Sequence, residues 1–164
     1  TMENKTEELI AKIKQAKANQ AKAIEKAKME EERMYDNYQA EFSKLGERIN
    51  TLITLGRTLL MMDMPIGEKY YDHGFYFDKF KTDGIHHNIG FVINHGVLEG
   101  IGIEGGGCCG GDLCVGADGN IVRGLPYKYC DGSYSKGEHQ KMKRLLAGFC
   151  EFERDMINYI ENLQ

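Results

Sequence analysis

The spacing of apolar residues constrains this chain most, because two seams with heptad spacing flank a glycine-rich segment. In both seams the apolar residues recur at alternating intervals of three and four. The first seam consists of Tyr35, Tyr38, Phe42, Leu45, Ile49, Leu52, Gly56 and Leu59. The second consists of Met142, Leu145, Phe149, Phe152, Met156, Tyr159 and Leu163. Since a seam of this kind is buried against another helix, residues 35–62 and 136–164 are predicted to pack as an antiparallel helical pair.

Local signals set the expected ends of these helices. Pro65 cannot continue a helix, so the first seam, in one long helix or two in line, should end before it. Ser135 followed by Glu138 has the spacing of a capping box and predicts the start of the last helix. The small residue Gly56 is expected to face Phe149 or Phe152 across the pair.

Residues 1–34 do not extend the seam, although their composition favours a helix. Residues 11–28 carry six lysines against one glutamate, and the larger apolar side chains of the segment are Leu9, Ile10, Ile13 and Ile24. The segment is predicted to be a projecting, lysine-rich helical arm. Three interpretations stay open. The arm could be a solvated helix, or a helix that docks on a partner or on another copy of itself. It could also contact nucleic-acid phosphates through its basic face, although it lacks the interleaved aromatic residues that stack on bases.

Residues 63–135 hold 16 of the 20 glycines and are predicted to form an antiparallel β-meander. One strand is expected at 75–80, a turn at Asp83-Gly84, and an alternating strand up to Asn94. His95-Gly96 should turn the chain into a strand over 97–103. Residues 113–115 and 120–123 should pair across the turn at 117–119. The fold class is therefore α+β, with the two helices flanking a β insert.

A cysteine cluster lies in the glycine-rich loop of this insert. Its proposed zinc ligands are Cys108, Cys109, Cys114 and Cys130, with His87 and His95 in reserve should Cys108 not bind. Zinc takes four such ligands in a tetrahedron, and flanking glycines permit the tight backbone that this requires. In a reducing compartment clustered thiols favour a metal site over disulfides, although buried thiols without metal remain the alternative. A closed site would be structural and would clamp the insert. Cys150, beside the second seam, is expected to be a core thiol.

Several motifs that point to enzymes fail on their context. The stretch 100–105 matches G-x-G-x-x-G, but it leads from a strand into a loop rather than into a helix that could bind a phosphate. No defensible pair of acidic and basic groups emerges from the spacing of the carboxylates and histidines. A non-enzymatic protein is therefore expected, with a zinc or thiol enzyme as an alternative.

Charge and hydropathy narrow the function class further. The net charge is −4, which argues against a basic nucleic-acid binder, and direct sequence-specific nucleic-acid binding is not expected. No apolar stretch approaches the roughly 18 residues of a membrane helix, and the N-terminus does not resemble a secretory signal. A cytoplasmic location is therefore expected.

The helical arms around Gly107-Cys108-Cys109-Gly110-Gly111-Asp112-Leu113-Cys114 resemble the zinc-containing type II-A anti-CRISPR proteins of phages and mobile elements. This resemblance covers most of the chain. It implies a stoichiometric inhibitor that binds the Cas9 effector in a bacterial cytoplasm and obstructs the loading of target DNA. The middle segment, residues 63–135, carries five lysines and arginines against ten acidic residues, and it would suit a partner with basic, nucleic-acid-binding surfaces. The alternative is a structural or adaptor protein that assembles through its long N-terminal helix.

Overall fold

The computed structural model describes residues 1–66, 68–69, 75–77, 89–103, 113–123 and 137–164. These residues form three α-helices and one six-stranded antiparallel sheet, so the predicted α+β class is confirmed. The helices are α1 (Met2–Lys44), α2 (Gly46–Met61) and α3 (Gly137–Glu161). The strands are β1 (Glu68–Lys69), β2 (Phe75–Phe77), β3 (Ile89–Asn94), β4 (Val97–Ile103), β5 (Leu113–Val115) and β6 (Ile121–Arg123).

The first seam is carried by two helices that meet at Leu45. This residue has φ −91° and ψ 4°, and its backbone N–H donates to the Phe42 carbonyl at 3.0 Å, so the helix tightens locally. The turn between β5 and β6 packs against this junction. A Cβ atom added to Gly46 would lie 2.7 Å from the Asp118 carbonyl oxygen, so a larger residue would push the turn away.

The helix α2 ends before Pro65, as predicted from the sequence. Asp63 adopts a left-handed conformation with φ 55°, and the Met64 N–H donates to the Leu59 carbonyl at 2.8 Å. Together with the Asp63 N–H, which donates to the Leu60 carbonyl at 3.2 Å, these features close the C-terminus of the helix as a Schellman motif. The structure describes α3 from Gly137 onwards. The proposed capping residue Ser135 therefore lies outside the described residues.

The sheet is a meander in which each strand pairs with the next in sequence order. The predicted turn at His95-Gly96 is confirmed: both residues have positive φ, 49° and 77°, which is the conformation of a tight type I′ hairpin. The pairing of β5 with β6 across Ala117–Gly119 is also confirmed. Of the predicted strand 75–80, residues 75–77 form β2, and the remainder lies outside the described residues, as does Asp83-Gly84.

One face of the sheet packs against the helices and forms the main core. The predicted alternation is confirmed in β3, where Ile89, Phe91 and Ile93 face this core, while Val92 lies on the other face in a separate small cluster with Cys114. Buried seam residues complete the core from the helices: Phe42, Ile49, Leu52 and Leu59 from the first seam, and Met142, Leu145, Phe149, Phe152 and Met156 from the second.

The expected position of Gly56 was wrong. A Cβ atom at this residue would lie 2.8 Å from Leu98 Cδ1 and 2.9 Å from the Phe91 ring, so Gly56 faces the sheet rather than α3. Residues of α2 therefore pack against the sheet as well as against α3. The small residue allows the α2 backbone to approach β3 and β4 closely.

The start of α2 contacts the second half of α3 through Arg48. Its guanidinium binds the Glu153 carboxylate with two hydrogen bonds of 2.9 and 2.6 Å, and it lies over the Phe149 ring at 5.1 Å from the centroid. The carboxylate raises the pKa of Arg48 above its usual value, so this group stays charged. The predicted contact between the two seam segments is thus present in the structure.

Candidate functional site

The N-terminal arm, residues 1–34, is the largest exposed feature of the described structure. It is helical from Met2, and Thr1 caps it by accepting a hydrogen bond from the Asn4 N–H at 3.4 Å. None of its first 30 residues is even partly buried, and the first fully buried residue of α1 is Phe42. At 1.5 Å per residue the 43 residues of α1 span about 65 Å. The prediction of a helical arm that the core does not use agrees with this burial pattern.

The larger apolar side chains of the arm lie on one side of the helix. Leu9, Ile10, Ile13 and Ile24 fall within about 100° of arc at 100° per residue. Their exposed fractions are 50%, 47%, 69% and 64%, so each side chain gives much of its surface to solvent. We call these four residues the arm stripe. Because burial of such side chains is favourable, the stripe is a surface that can gain packing from a partner.

Lysines lie along both borders of the arm stripe. On the helical wheel Lys5 and Lys12 flank one side of the stripe and Lys14 flanks the other, while Lys17 and Lys28 lie at the Ile10 edge of the stripe itself. All five residues are exposed, as is every other residue in this part of the helix. Apolar residues with cationic borders make the arm a basic amphipathic helix.

A second exposed apolar patch, which the sequence did not reveal, lies where α2 ends beside the β3–β4 hairpin. Met61 and Val97 border a groove of about 330 Å³ together with Arg57, Leu60, Gly96 and Leu98. The side chains of Met61 and Val97 are largely exposed, and Met62 follows at the helix end. The Arg57 guanidinium donates to the Leu98 carbonyl and fixes the position of the hairpin against α2.

Of the proposed zinc ligands, Cys108, Cys109, Cys130 and the reserve His87 lie outside the described residues. Cys114 is described in β5, where it is fully buried on the sheet face opposite the helices. Its register partners are Gly102 in β4 and Arg123 in β6. Glycine is required at position 100, where an added Cβ atom would lie 2.2 Å from the Val115 carbonyl oxygen and 3.0 Å from the Cys114 Sγ atom.

The reserve ligand His95 lies far along the sheet from Cys114. His95 follows Asn94, whose register partner is Val97, whereas Cys114 pairs with Gly102. Five residues of strand separate these positions, or about 17 Å at 3.4 Å per residue. Since ligands of one zinc ion lie within a few ångströms of each other, the structure does not bring His95 and Cys114 together.

An ion pair lies next to Cys114 in the sheet. Arg123, its register partner in β6, forms an ion pair with Glu99 at 2.7 Å. Glu99 also accepts a hydrogen bond from the Asn94 amide at 3.3 Å, which ties the end of β3 to the pair. Within the ranges that the structure describes, no three histidine, cysteine or acidic side chains form a group that could hold a metal ion. A zinc site would therefore need cysteines that lie outside these ranges.

The expectation of a core thiol at Cys150 was wrong. This residue is exposed on α3, and its Sγ atom accepts a hydrogen bond from Arg48 Nη2 at 3.4 Å. It follows the buried Phe149 by one position, which turns it about 100° away from the seam.

Comparison with known proteins identified no relative. No protein-family model, curated protein or solved structure matches this chain. Among the helices of the described ranges, none combines the length and the hydropathy needed to cross a lipid bilayer.

Proposed function

We propose that this chain is a non-enzymatic binding protein that inhibits the Cas9 effector by obstructing the loading of target DNA. The observation that supports a binding role is the exposed arm, in which an apolar stripe is held on a long helix outside the folded body. A helix without tertiary packing depends on propensity alone and is stabilised when its apolar side is covered. The choice of Cas9 as partner comes from the resemblance to anti-CRISPR proteins.

Charge supports a partner that handles nucleic acid. Outside the arm, residues 35–164 carry 13 lysines and arginines against 18 aspartates and glutamates, so the body has an excess of five negative charges. An acidic body complements the basic surfaces that a nucleic-acid-handling protein presents to its guide and target. The mild net charge of the whole chain favours obstruction of DNA loading over imitation of the DNA.

Zinc belongs to this proposal as a structural ion. Cys108, Cys109, Cys114 and Cys130 would hold it as thiolates, and the ion would then supply a crosslink in a segment rich in glycine. Of these four, Cys114 is described in the structure, where it is buried beside Gly100.

The same arm favours one second candidate, an adaptor that assembles with further copies of itself through α1. The two functions differ in what the arm binds. Sedimentation of the purified chain separates them, because an adaptor would be oligomeric without Cas9, whereas the inhibitor would bind Cas9 as a monomer.

The test is co-purification of the full chain with Cas9, in the presence and absence of guide RNA. We expect capture by at least one of these two forms. A triple variant, Leu9→Ser, Ile10→Ser and Ile13→Ser, should reduce capture strongly because it removes apolar side chains of the arm stripe. Val122→Ser is the matched control, since Val122 is a similarly exposed apolar residue of the body. Absence of capture of the full chain would overturn the proposed function, and equal capture of the triple variant would show that the arm is not the docking element.

A further inference from the structure

We propose that the N-terminal arm binds as a helix in an apolar groove with an acidic rim on a partner protein. The proposal rests on the proposed function in one respect, since it assumes that the arm contacts a protein. It goes beyond that function in naming the chemistry of the surface that the arm recognises.

The apolar part of the interface would come from the arm stripe. Leu9 and Ile10 lie on one turn, Ile13 lies on the next, and Ile24 continues the same side three turns later. Ala16 and Ala27 lie beside Leu9 on the helical wheel, and their small side chains permit close approach of another protein surface. Ile10 and Ile13 are spaced i, i+3 and Leu9 and Ile13 are spaced i, i+4, which is the spacing of anchors on a helix that lies in a groove.

The acidic rim follows from the charges beside the stripe. Lys5 and Lys12 lie on one border and Lys14 on the other, and Lys17 and Lys28 lie at the Ile10 edge of the stripe, from which their long side chains can reach the rim of the groove. Carboxylates at those positions complement the lysines, whereas a basic rim would repel them. The excess of five positive charges over residues 11–28 therefore selects an acidic partner surface.

This charge argues against a second copy of the arm as the occupant. In a pair of identical arms the lysine-rich middles, residues 12–28, would lie against each other in any alignment that covers the whole stripe. Like charges facing each other at close range are unfavourable, and both arms carry the same excess.

Two other anionic surfaces fit the arm less well. A nucleic acid would satisfy the lysines but has no apolar floor for Leu9, Ile10, Ile13 and Ile24, and residues 1–34 contain no aromatic side chain that could stack on a base. A lipid surface rewards a continuous apolar area, whereas Lys17 and Gln20 interrupt this side of the helix between Ile13 and Ile24. A protein groove can meet such polar side chains with side chains of its own.

The experiment uses calcium-loaded calmodulin as the probe, because its methionine-lined grooves are acidic at the rim and bind basic amphipathic helices. Binding of the full chain is measured by calorimetry at two salt concentrations. We expect a complex that weakens by about tenfold between about 0.05 and 0.3 M salt, since its charge pairs are exposed and screened. Removal of calcium with EGTA should abolish the complex because the grooves close.

Two variants separate the contributions of charge and apolar contact. Lys12→Gln, Lys14→Gln and Lys17→Gln together should weaken binding about tenfold at low salt and reduce the salt dependence. Leu9→Ser, Ile10→Ser and Ile13→Ser together should abolish it. The matched control, Lys44→Gln, Lys143→Gln and Arg144→Gln, removes three exposed cations from the body and should leave binding unchanged.

Several results would overturn the proposal. These are no calmodulin binding by the full chain, an equal loss with the control variant, and tighter binding to duplex DNA or to vesicles of phosphatidylserine than to calmodulin. Concentration-dependent dimerisation in sedimentation, without calmodulin binding, would instead identify a second copy as the occupant. None of these measurements uses Cas9, so failure here is distinguishable from failure of the proposed function.

Discussion

Asn50 in α2 and Asp118 in the β5–β6 turn exchange two hydrogen bonds. The Asn50 amide donates to Asp118 Oδ1 at 2.8 Å, and the Asp118 backbone N–H donates to Asn50 Oδ1 at 2.7 Å. Asp118 has a left-handed backbone with φ 60°, so the turn is held in a conformation that most residues avoid. This reciprocal pair fixes the end of the sheet against the helix.

Gln39 repeats the arrangement on the other side of the Leu45 junction. Its amide nitrogen donates to the Gly119 carbonyl at 2.9 Å, and its oxygen accepts from the Ile121 N–H at 2.9 Å. Two side-chain amides, one from α1 and one from α2, therefore satisfy the backbone of one turn. These hydrogen bonds to the β5–β6 turn fix the position of the junction between α1 and α2. The arm lies N-terminal to this junction on α1.

Asn50→Ala is expected to reduce the free energy of unfolding by about 1 kcal/mol, because it removes both hydrogen bonds with Asp118. Urea denaturation followed by circular dichroism measures the change. Thr54→Ala is the matched control, since the Thr54 hydroxyl donates only to the Asn50 carbonyl of its own helix in the described structure. Equal losses in the two variants would show that the pairing with Asp118 contributes nothing.

Gly119→Ala and Gly96→Ala form a matched pair that separates backbone strain from collision. Both glycines have positive φ, 79° and 77°, so alanine should cost about 1 kcal/mol at either position. A Cβ atom on Gly119 would lie 2.1 Å from the Phe42 carbonyl oxygen, whereas nothing lies within 4 Å at Gly96. We therefore expect Gly119→Ala to cost about 3 kcal/mol or more in the same denaturation experiment. Similar costs at both positions would contradict the close packing of the turn on α1.

The interaction between Arg48 and Glu153 is expected to be modest. A double-mutant cycle with Arg48→Met and Glu153→Gln should give a coupling free energy of about 0.5–1 kcal/mol, because both groups are partly exposed to solvent. Thermal or urea unfolding of the four proteins supplies the cycle. Addition of about 1 M salt should reduce the coupling, since screening weakens exposed pairs. A coupling indistinguishable from zero would mean that this ion pair does not hold α2 to α3.

Zinc content provides a prediction for the cysteine cluster. Metal analysis of the purified chain should give about one zinc ion per chain, and the double variant Cys109→Ser, Cys114→Ser should lose the ion and unfold at a lower temperature. Cys150→Ser should keep both metal and stability, because Cys150 is exposed on α3. A stable, folded wild-type chain without zinc would rule out the structural site.

Much of the fold could be predicted from local patterns. The heptad seams identified the helices, and alternation together with His95-Gly96 identified β3, β4 and their turn, because these signals act between near neighbours. The junction at Leu45 could not be predicted in this way. It depends on Gly46 and Gln39 meeting a turn that is more than 70 residues away in sequence.

The two wrong expectations have a common physical cause. A seam records which side of a helix is buried but not which element covers it, so Gly56 was assigned to α3 although Phe91 and Leu98 in the sheet cover it. Cys150 lies one position from the seam, and this places its side chain about 100° away from the buried side of the helix, where Arg48 contacts it. For the candidate sites, the exposure of the arm agrees with the sequence analysis, whereas the zinc ligands other than Cys114 and His95 lie outside the described residues.

The most direct test of the central claim is a titration of guide-loaded Cas9 with the full chain before target DNA is added, with DNA cleavage as the readout. If the chain inhibits Cas9 as proposed, cleavage should fall in proportion to the added chain and cease near equimolar amounts, because a non-enzymatic inhibitor acts by occupying its target. Addition of the chain after the DNA should inhibit much less, since loading has already occurred. Undiminished cleavage at a large excess of chain over Cas9 would contradict the account.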